Sequence, residues 1–328
     1  MRLATMALSY STILMKLISY ILPIHNEAEN IRPLYQALTE ATAQLPYALE
    51  FVFVNDGSRD NSLELLQALH DADPRVCVVN FARNFGHQIA VTAGLDFAQG
   101  DAVIIMDSDL QDPPKVSLEL IAKWEDGWDV VYARRRTRQD GLFKRLTAKV
   151  FYRLLQRLAD IDIPEDTGDF RLVDRRVVTA LQQFHEHNRF LRGLVSYVGF
   201  KQTFVLFDRD KRYAGTTSYP LKKMIKFASD GIFSFSWAPL KLIGRLGYCI
   251  SALSFIGALY ALVMRLWKPT TTVPGWAFEV IAIFLIGGIQ MIMLSVLGGY
   301  IGRIYTEVQA RPLYIVESVT PAKTAKKA

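Results

Sequence analysis

Short, nearly continuous apolar runs alternate with segments of helical spacing over residues 16–135. The five apolar runs are Leu17–Pro23, Leu49–Asp56, Val76–Phe81, Ala102–Asp107 and Asp129–Ala133. Val, Ile, Leu and Phe without polar alternation are typical of strands that are buried on both faces. The segments between them have helical length, at Ala28–Ala43, Ser62–Asp71, Gln88–Ala98 and Lys115–Glu125. This alternation predicts an α/β domain with a mostly parallel, doubly wound sheet.

The last third of the chain has a different pattern. Leu246–Met264 and Val280–Gly302 contain no charged residue, and each is close to the ~20 residues that cross a bilayer core. The short polar segment Arg265–Glu279 joins them, so we expect a two-helix transmembrane hairpin. Two buried helices of a soluble protein would share this pattern. Lys and Arg are concentrated outside the hairpin, which predicts that its two ends and the α/β domain are cytoplasmic.

Two further segments have the pattern of amphipathic helices. Residues 221–230 pair an apolar arc with a lysine-rich arc and lead towards the first apolar segment, which favours a helix at the membrane interface. For residues 143–158, packing on the sheet and lying on the membrane are equally consistent with the pattern. The predicted parts are an N-terminal extension at 1–15, the α/β domain at 16–220, interface helices at 221–243, the hairpin at 244–303 and a cytoplasmic tail at 304–328.

Composition and short motifs exclude several functions. The formal net charge is +6, and much of the positive charge lies beside hydrophobic segments, which favours an anionic membrane or a phosphorylated ligand over nucleic acid. Cys77 and Cys249 are the only cysteines, too few for a disulfide framework or a cysteine-rich zinc site. The sequence also lacks the glycine-rich dinucleotide fingerprint, the phosphate loop, the nucleophile elbow and the zinc-protease helix.

Carboxylates follow the predicted strands at the edge where this architecture binds ligands. Asp56 ends the second apolar run, and Asp107 and Asp109 end the fourth. Two carboxylates one residue apart at a strand end suit a hard divalent cation such as Mg²⁺ or Mn²⁺, which keeps places for substrate phosphates. Asp112 stands before Pro113–Pro114, so we expect it to cap the following helix instead.

An ordered set of motifs resembles the inverting nucleotide-sugar glycosyltransferases of the GT-A fold. The motifs in the α/β part are Pro23–Glu27, Val54–Ser58, Asp107–Pro114 and Thr167–Leu172. Together with the hairpin, Tyr300–Arg303 and Ala310–Tyr314 resemble the polyprenyl-phosphate glycosyltransferases, relatives of dolichyl-phosphate mannose synthase. The bacterial undecaprenyl-phosphate (bactoprenol) glucosyltransferases are the most similar type. The resemblance covers nearly all of the chain after residue 16.

The resemblance implies roles for the residues that match its motifs. It implies that the nucleotide-sugar donor is bound by Pro23, Glu27, Asp56 and Asp107. It implies that Mg²⁺ or Mn²⁺ is bound by Asp107, Asp109 and Gln111. It implies that the phosphate of the acceptor is bound by Arg134, Arg171, Arg209 and Arg212, although Arg134–Arg136 would also suit a solvated charge run. It implies catalytic roles for Asp169, as base or acceptor organiser, and for Asp109.

The implied activity is inverting transfer of glucose from UDP-glucose to undecaprenyl phosphate, giving a β-linked lipid-phosphate sugar for surface polysaccharide. The implied enzyme is metal-dependent, multi-pass in the plasma membrane, cytoplasmic in its catalytic domain and tetrameric. N-acetylglucosamine, mannose or a modified arabinose as the donor sugar, or a non-catalytic membrane adaptor, remain alternatives. Ser218 and Gly299 depart from the family pattern, which often has a lysine and a glutamate there.

Overall fold

The predicted strands and helices of the first 135 residues are present in the structure, a computed structural model. It describes residues 15–136, 167–187, 189–208, 240, 243–250, 252–253, 256, 267 and 276–323. The elements of the first part are β1 Leu17–Ile24, α1 Ala28–Thr42, β2 Ala48–Asn55, α2 Ser62–Ala72, β3 Val76–Phe81, α3 His87–Phe97, β4 Ala102–Ile105, α4 Val116–Glu125 and β5 Val130–Arg135. The prediction is confirmed to within one or two residues at nearly every boundary.

The rest of the described chain adds three strands that the apolar pattern did not predict. Its elements are β6 Thr167–Asp174, α5 Arg175–Leu181, α6 Leu191–Tyr197, β7 Gln202–Phe207, α7 Trp276–Val308 and β8 Val316–Thr320. The eight strands have the order β7-β5-β6-β4-β1-β2-β3-β8. β6 is antiparallel to β4 and β5, and β8 is antiparallel to β3, whereas the other pairs are parallel. The sheet is therefore mostly parallel, as predicted.

The antiparallel direction of β6 decides where its polar start lies. Ala102 of β4 pairs with Asp174, and Ile105 pairs with Arg171. The first residues of β6 are therefore carried past the carboxyl end of β4, beside the loop that begins at Met106. An antiparallel strand in this position brings Asp169 to the edge of the sheet where the parallel strands end.

Hydrophobic side chains fill both faces of the sheet. Successive residues of β1 point to opposite faces, so Tyr20 and Ile21 lie in different hydrophobic clusters. One cluster includes residues of α1, α2 and α4, and the other includes residues of α3, α5 and α6. Helix α3 lies so close to β1 that a Cβ atom on Gly94 would be 2.2 Å from Cγ2 of Ile21. This close packing fixes α3, and with it the first residue of α3, His87, against the carboxyl edge.

The end of the chain, predicted to be a cytoplasmic tail, contains a strand of the sheet. β8 pairs with β3, from Val78↔Thr320 to Phe81↔Val316, so residues after the apolar helix belong to the same sheet. The side chain of Tyr314 stacks on Phe81 with ring centroids 5.1 Å apart. The segment Val316–Thr320 has too few apolar residues for its sequence to predict a buried strand. It is stabilised by the backbone hydrogen bonds that it forms with β3, which is distant in the chain.

Helix α7 has the dimensions of a membrane span. Its segment Leu285–Val308 is long and apolar enough to cross a bilayer by length and composition, and none of it is buried. Exposed apolar side chains along this helix include Ile283, Leu285, Met291, Ile292, Leu294, Ile301 and Ile304. Residues 243–250, 252–253 and 256, which overlap the other predicted span, are helical. The interface helices predicted at 221–243 fall almost entirely outside the described residues, and the amphipathic helix predicted at 143–158 falls entirely outside them.

Candidate active site

Three side chains from distant parts of the chain meet at the carboxyl edge of the sheet. Asp107 follows β4, Asp169 lies near the start of β6 and His87 begins α3. Nε2 of His87 is 3.2 Å from Oδ2 of Asp169 and 3.5 Å from Oδ1 of Asp107. One potential ligand atom from each residue lies within 4.8 Å of the others. We call this group the acidic cluster. Asp107 and Asp169 were predicted from the sequence to be site residues, and His87 was not.

Asp169 is held from several sides. Its Oδ1 accepts hydrogen bonds from Nε of Arg192 at 2.9 Å and from Nη2 of Arg171 at 3.4 Å. Its Oδ2 accepts from Gln88 at 3.4 Å. Burial raises the pKa of Asp169, but Arg192, His87 and Arg171 outweigh it and hold the pKa well below its usual range. Asp169 is therefore an ionised, oriented carboxylate and a weak base.

His87 carries a positive charge at neutral pH. Desolvation lowers its pKa, but the hydrogen bond to Asp169 and the charges of Asp107 and Asp169 outweigh it and raise the pKa to about 9. The imidazole ring thus separates two carboxylates that would otherwise repel each other. No motif predicted this histidine, although its place just beyond β3, at the edge where ligands bind, was a signal that could have found it.

Asp107 has the properties expected of a cation ligand. Its Oδ1 is buried and accepts no hydrogen bond. Burial raises the pKa of Asp107, His87 opposes that rise, and the nearby charges of Asp169 and Asp109 add to it. A buried carboxylate oxygen that accepts no hydrogen bond and lies near two other carboxylates fits a ligand of a divalent cation.

The other predicted metal ligands lie on the loop after β4. Oδ1 of Asp109 accepts a hydrogen bond from the backbone N–H of Gln111 at 3.1 Å. Leu110 between them has φ of 58°, an uncommon conformation for a bulky residue and typical of strained functional loops. Asp109 and Gln111 stay predicted ligands next to the acidic cluster. Asp112 is buried, Lys115 stands at the N-cap position of α4, and capping by Asp112 stays a prediction.

A separate cavity of about 510 Å³ opens at the ends of β1, β2 and β3. Its lining is mainly polar and neutral, with one arginine pair and one glutamate: His25, Asn26, Asn55, Gly57, Ser58, Arg59, Leu63, Asn80, Phe81, Ala82, Arg83, Asn84 and Glu317. We call it the β3 cavity. Gly57 has φ of 60°, and a Cβ there would lie 2.4 Å from the backbone carbon of Arg83, so only glycine lets these two loops meet.

The residues predicted to bind the uridine, Pro23, Glu27 and Asp56, are not among the described residues that line the β3 cavity. Pro23 is buried within β1. Glu27 accepts a hydrogen bond from Nδ2 of Asn30, in the first turn of α1. The carboxylate of Asp56 accepts hydrogen bonds from Nδ2 of Asn84 at 2.9 Å and from the backbone N–H groups of Phe85 and Gly86 at 2.6 and 3.0 Å. Asp56 therefore shapes the loop that leads from β3 to His87.

The predicted acceptor arginines have different positions. Arg134 lies in β5 rather than in a turn, and its guanidinium stacks over Phe204 at 5.2 Å. Arg171 is 1 % exposed and donates to the backbone carbonyls of Gly168 and Asp169. This burial supports a role in holding Asp169 and does not support direct contact with a lipid phosphate. Arg209 and Arg212 lie outside the described residues.

Arg192 was missed by the sequence interpretation. It lies on α6, more than twenty positions from Asp169, and no motif joins the two. The pairing arises because α6 packs under the start of β6, on the same side of the sheet as α3. Only the folded chain shows this contact.

Comparison with known proteins agrees with this geometry. Residues 19–181 match the model of the family described as glycosyl transferase family 2. An uncharacterized glycosyltransferase of Bacillus subtilis is 50 % identical over 300 residues, covering 91 % of this chain and 93 % of that protein. An uncharacterized glycosyltransferase of Synechocystis is 46 % identical, over 92 % of this chain and 95 % of its own.

A third relative has a more specific description. A prophage-derived bactoprenol glucosyl transferase of Shigella flexneri is 41 % identical over 301 residues, covering 92 % of this chain and 97 % of that protein. The identity extends far beyond the α/β domain and includes the apolar C-terminal third. The protein therefore belongs to glycosyl transferase family 2, as a glycosyltransferase similar to the bactoprenol glucosyl transferases.

Proposed function

We propose that this protein transfers glucose from UDP-glucose to undecaprenyl phosphate with inversion, at the cytoplasmic face of the plasma membrane. The observation that carries the proposal is the juxtaposition of the acidic cluster with the β3 cavity along one edge of the sheet. A charged centre suits the diphosphate and the reacting sugar, and a neutral polar cavity suits a nucleoside. The exposed apolar helix α7 of the same chain supplies a route to a lipid acceptor.

A divalent cation belongs to this proposal. Asp107 would hold Mg²⁺ or Mn²⁺ through its buried Oδ1, with Asp169 and the predicted ligands Asp109 and Gln111 near it. When bound, the cation would neutralise the diphosphate and stabilise the departing UDP. The remaining residues have to bring a second phosphate, that of the lipid, to the same place.

The protein offers positive charge for that purpose within and beside the acidic cluster. Protonated His87 and Arg192 both contact Asp169, and Arg134 lies on the neighbouring part of the sheet. Arg209 and Arg212 remain predicted contacts of the acceptor. Guanidinium groups bind phosphate oxygens with two parallel hydrogen bonds, which orients an incoming phosphate as well as offsetting its charge.

The reaction itself needs little help from a base. A phosphate monoester has a second pKa of about 6, so the lipid phosphate is already largely a dianion at neutral pH. One of its oxygens attacks the anomeric carbon of glucose as the bond from that carbon to the diphosphate oxygen breaks. The carbon passes through an oxocarbenium-like state and is inverted to the β-linked product. The lowered pKa of Asp169 fits a residue that positions His87 and Arg192.

The membrane arrangement is part of the proposal. A Cβ atom on Gly247 would lie 3.6 Å from Cε of Met293 in α7, which supports two neighbouring helices and hence the predicted hairpin. The concentration of Lys and Arg on both sides of the hairpin supports a catalytic domain in the cytoplasm, where UDP-glucose is available. We further propose a homotetramer, from the family resemblance.

Transfer of labelled sugar to lipid tests the proposal. Purified protein in lipid nanodiscs is supplied with Mn²⁺, undecaprenyl phosphate and radiolabelled UDP-glucose, and the organic phase is counted. We expect labelled lipid with the wild type and almost none with Asp107→Asn. Asp126→Asn, which removes an exposed carboxylate that only pairs with Lys123, is the matched control. Equal labelling by wild type and Asp107→Asn would contradict the proposed catalytic activity. A higher rate with another nucleotide sugar would show that this sugar, and not glucose, is the one transferred.

A further inference from the structure

We propose that β8, the strand that follows α7, completes the donor's nucleoside site and that Glu317 on β8 reads the nucleobase. This inference rests on the proposed function, because it assumes that the β3 cavity holds the nucleoside of the donor. It assigns a specificity-determining residue to a segment that the sequence pattern placed in a tail. The argument starts from how firmly β8 is held.

Side-chain and backbone contacts fix the segment at both ends of β8. The backbone N–H of Ala82 donates to the carbonyl of Ile315 at 3.0 Å, just before the strand. The hydroxyl of Tyr314 donates to Asp96 of α3 at 2.8 Å. After the strand, the backbone N–H of Lys323 donates to the carbonyl of Pro74 at 2.8 Å. β8 is thus part of the rigid frame of the cavity.

A relay of amide groups leads to Glu317. Nδ2 of Asn55 donates to Oδ1 of Asn80 at 2.8 Å, and Nδ2 of Asn80 donates to Oε2 of Glu317 at 2.9 Å. Each amide accepts a hydrogen bond through its oxygen and donates one through its nitrogen. Because the carboxylate of Glu317 can only accept, it sets the orientation of both amides. Glu317 keeps further acceptor positions and lines the β3 cavity.

Glu317 is the one acidic residue among the described residues that line the β3 cavity. Asp56, the residue expected to bind the uridine, already accepts hydrogen bonds on both of its oxygens from residues 84–86. Glu317 has fewer of its acceptor positions in use, so an N–H group of a nucleobase entering the cavity can donate to the carboxylate on β8.

The position of Glu317 fits the far end of a nucleotide sugar. β8 is four strands away from β4, in the order β4-β1-β2-β3-β8, and neighbouring strands are about 4.8 Å apart, so the separation is on the order of 19 Å. With the sugar at the acidic cluster after β4, the diphosphate and ribose extend along the strand ends. The base, at the opposite end of the molecule, then reaches β3 and β8.

The chemistry of a carboxylate predicts which pyrimidine is preferred. Uracil carries an N–H at ring nitrogen N3, whereas the same nitrogen of cytosine is a bare acceptor. An ionised carboxylate only accepts hydrogen bonds, so a carboxylate placed opposite ring nitrogen N3 accepts the N–H of uracil and is repelled by the lone pair of cytosine N3. A glutamine at this position keeps an oxygen for Asn80 and also offers an N–H₂ group, which suits cytosine better than the carboxylate does.

Binding of UDP and CDP to the full-length protein tests the inference. Isothermal titration calorimetry in nanodiscs with Mn²⁺ compares the wild type, Glu317→Gln and the control Ser318→Ala, which changes the adjacent residue of β8. For Glu317→Gln we expect the preference for UDP over CDP to fall by about tenfold or more, as expected for the loss of one hydrogen bond to a charged group. Ser318→Ala should keep the wild-type preference.

The outcomes separate this inference from the proposed function. A wild-type protein that binds no nucleoside diphosphate would contradict the proposed function. A wild type that binds UDP, with an unchanged UDP-to-CDP ratio in Glu317→Gln, would overturn only the role of Glu317. Glu317→Asp provides a second variant with the charge retained one carbon further from the cavity. If it too leaves the ratio unchanged, β8 does not read the base.

Discussion

The two ends of the carboxyl edge of the sheet use different interactions. At β4 and β6, charged groups contact one another directly, with His87 between Asp107 and Asp169 and Arg192 behind them. At β2, β3 and β8, amide side chains line much of the β3 cavity, and the charged residues among its described lining are Arg59, Arg83 and Glu317. We propose that the first arrangement binds phosphates and stabilises a developing positive charge, and that the second recognises a neutral group by shape and hydrogen bonds. Reaction and recognition should therefore be separable by mutation.

The largest separation is expected for Asp107→Asn. The neutral amide cannot replace a carboxylate as a cation ligand, so we expect sugar transfer to fall on the order of 100-fold or more. Binding of uridine itself, which lacks the diphosphate, should change little because the β3 cavity is intact. Transfer assays and calorimetry with uridine measure the two effects. A parallel loss of uridine binding would contradict the division between the two ends.

Arg192→Ala should be the next largest change. It removes the hydrogen bond of 2.9 Å to Asp169 and exposes that carboxylate to the negative charge of the incoming phosphate. We expect kcat to fall roughly tenfold or more, with the KM for UDP-glucose nearly unchanged. Arg192→Lys keeps the charge without the fork of donors and should recover part of the activity. A rise of the donor KM as large as the fall of kcat would place Arg192 at the donor instead.

At the recognition end, Gly57→Ala should weaken the β3 cavity. The new methyl group would meet the backbone of Arg83 at a position with φ of 60°, which we expect to destabilise the fold by about 1–3 kcal/mol. Gly127→Ala is the matched control, since Gly127 has φ of 93° but nothing within 4 Å of its Cβ position. Thermal unfolding and UDP titration measure both variants. Equal effects would show that backbone strain alone, and not the contact with Arg83, matters.

The smallest expected effect is a pH dependence carried by His187. Its backbone N–H and its Nδ1 contact the carboxylate of Glu307 at the end of α7, and its Nε2 contacts the carbonyl of Arg311. The hydrogen bond to Glu307 raises the pKa of His187. A raised pKa stabilises the folded protein fully below the ordinary histidine value of about 6.5, and this stabilisation is lost as the pH rises through the folded pKa.

His187→Gln should therefore unfold at a lower temperature than the wild type below about pH 6.5, and the difference should shrink as the pH rises. Because α7 leads into β8, a loosened end of α7 should weaken UDP binding slightly and leave the acidic cluster unchanged. Unfolding temperatures recorded across this pH range check the prediction. A difference between the two proteins that does not depend on pH would contradict it.

The sequence predicted most of the frame of the active site because that frame depends on local pattern. β1 to β5 and α1 to α4 follow from apolar runs and helical spacing, and their boundaries agree with the structure. β6 and β8 were not predicted because their sequences, T-G-D-F-R-L-V-D and V-E-S-V-T, contain polar residues that interrupt any continuous apolar run. Each forms a strand by pairing with another strand that is distant in the chain, and a local sequence pattern contains no information about that pairing.

The candidate site divides in the same way. Asp107 and Asp169 could be named from motifs, since each follows or begins an element at the ligand-binding edge. His87, Arg192 and Glu317 could not, because their roles depend on contacts with residues 82, 23 and 237 positions away along the chain. Asp56 shows the converse: the motif marked the residue, and only the structure showed that its carboxylate holds a loop.

By itself, the sequence determined the α/β class, the acids at the ends of the strands, the apolar C-terminal third and the resemblance to lipid-phosphate glycosyltransferases. These features depend on residue type and spacing, and the burial of hydrophobic residues stabilises them when the chain folds. The tertiary structure alone decided that β6 brings Asp169 to Asp107, that His87 and Arg192 set the charge of that carboxylate, and that the strand after α7 returns to the β3 cavity. Those outcomes follow from strand order and direction, which bring distant residues within hydrogen-bonding distance.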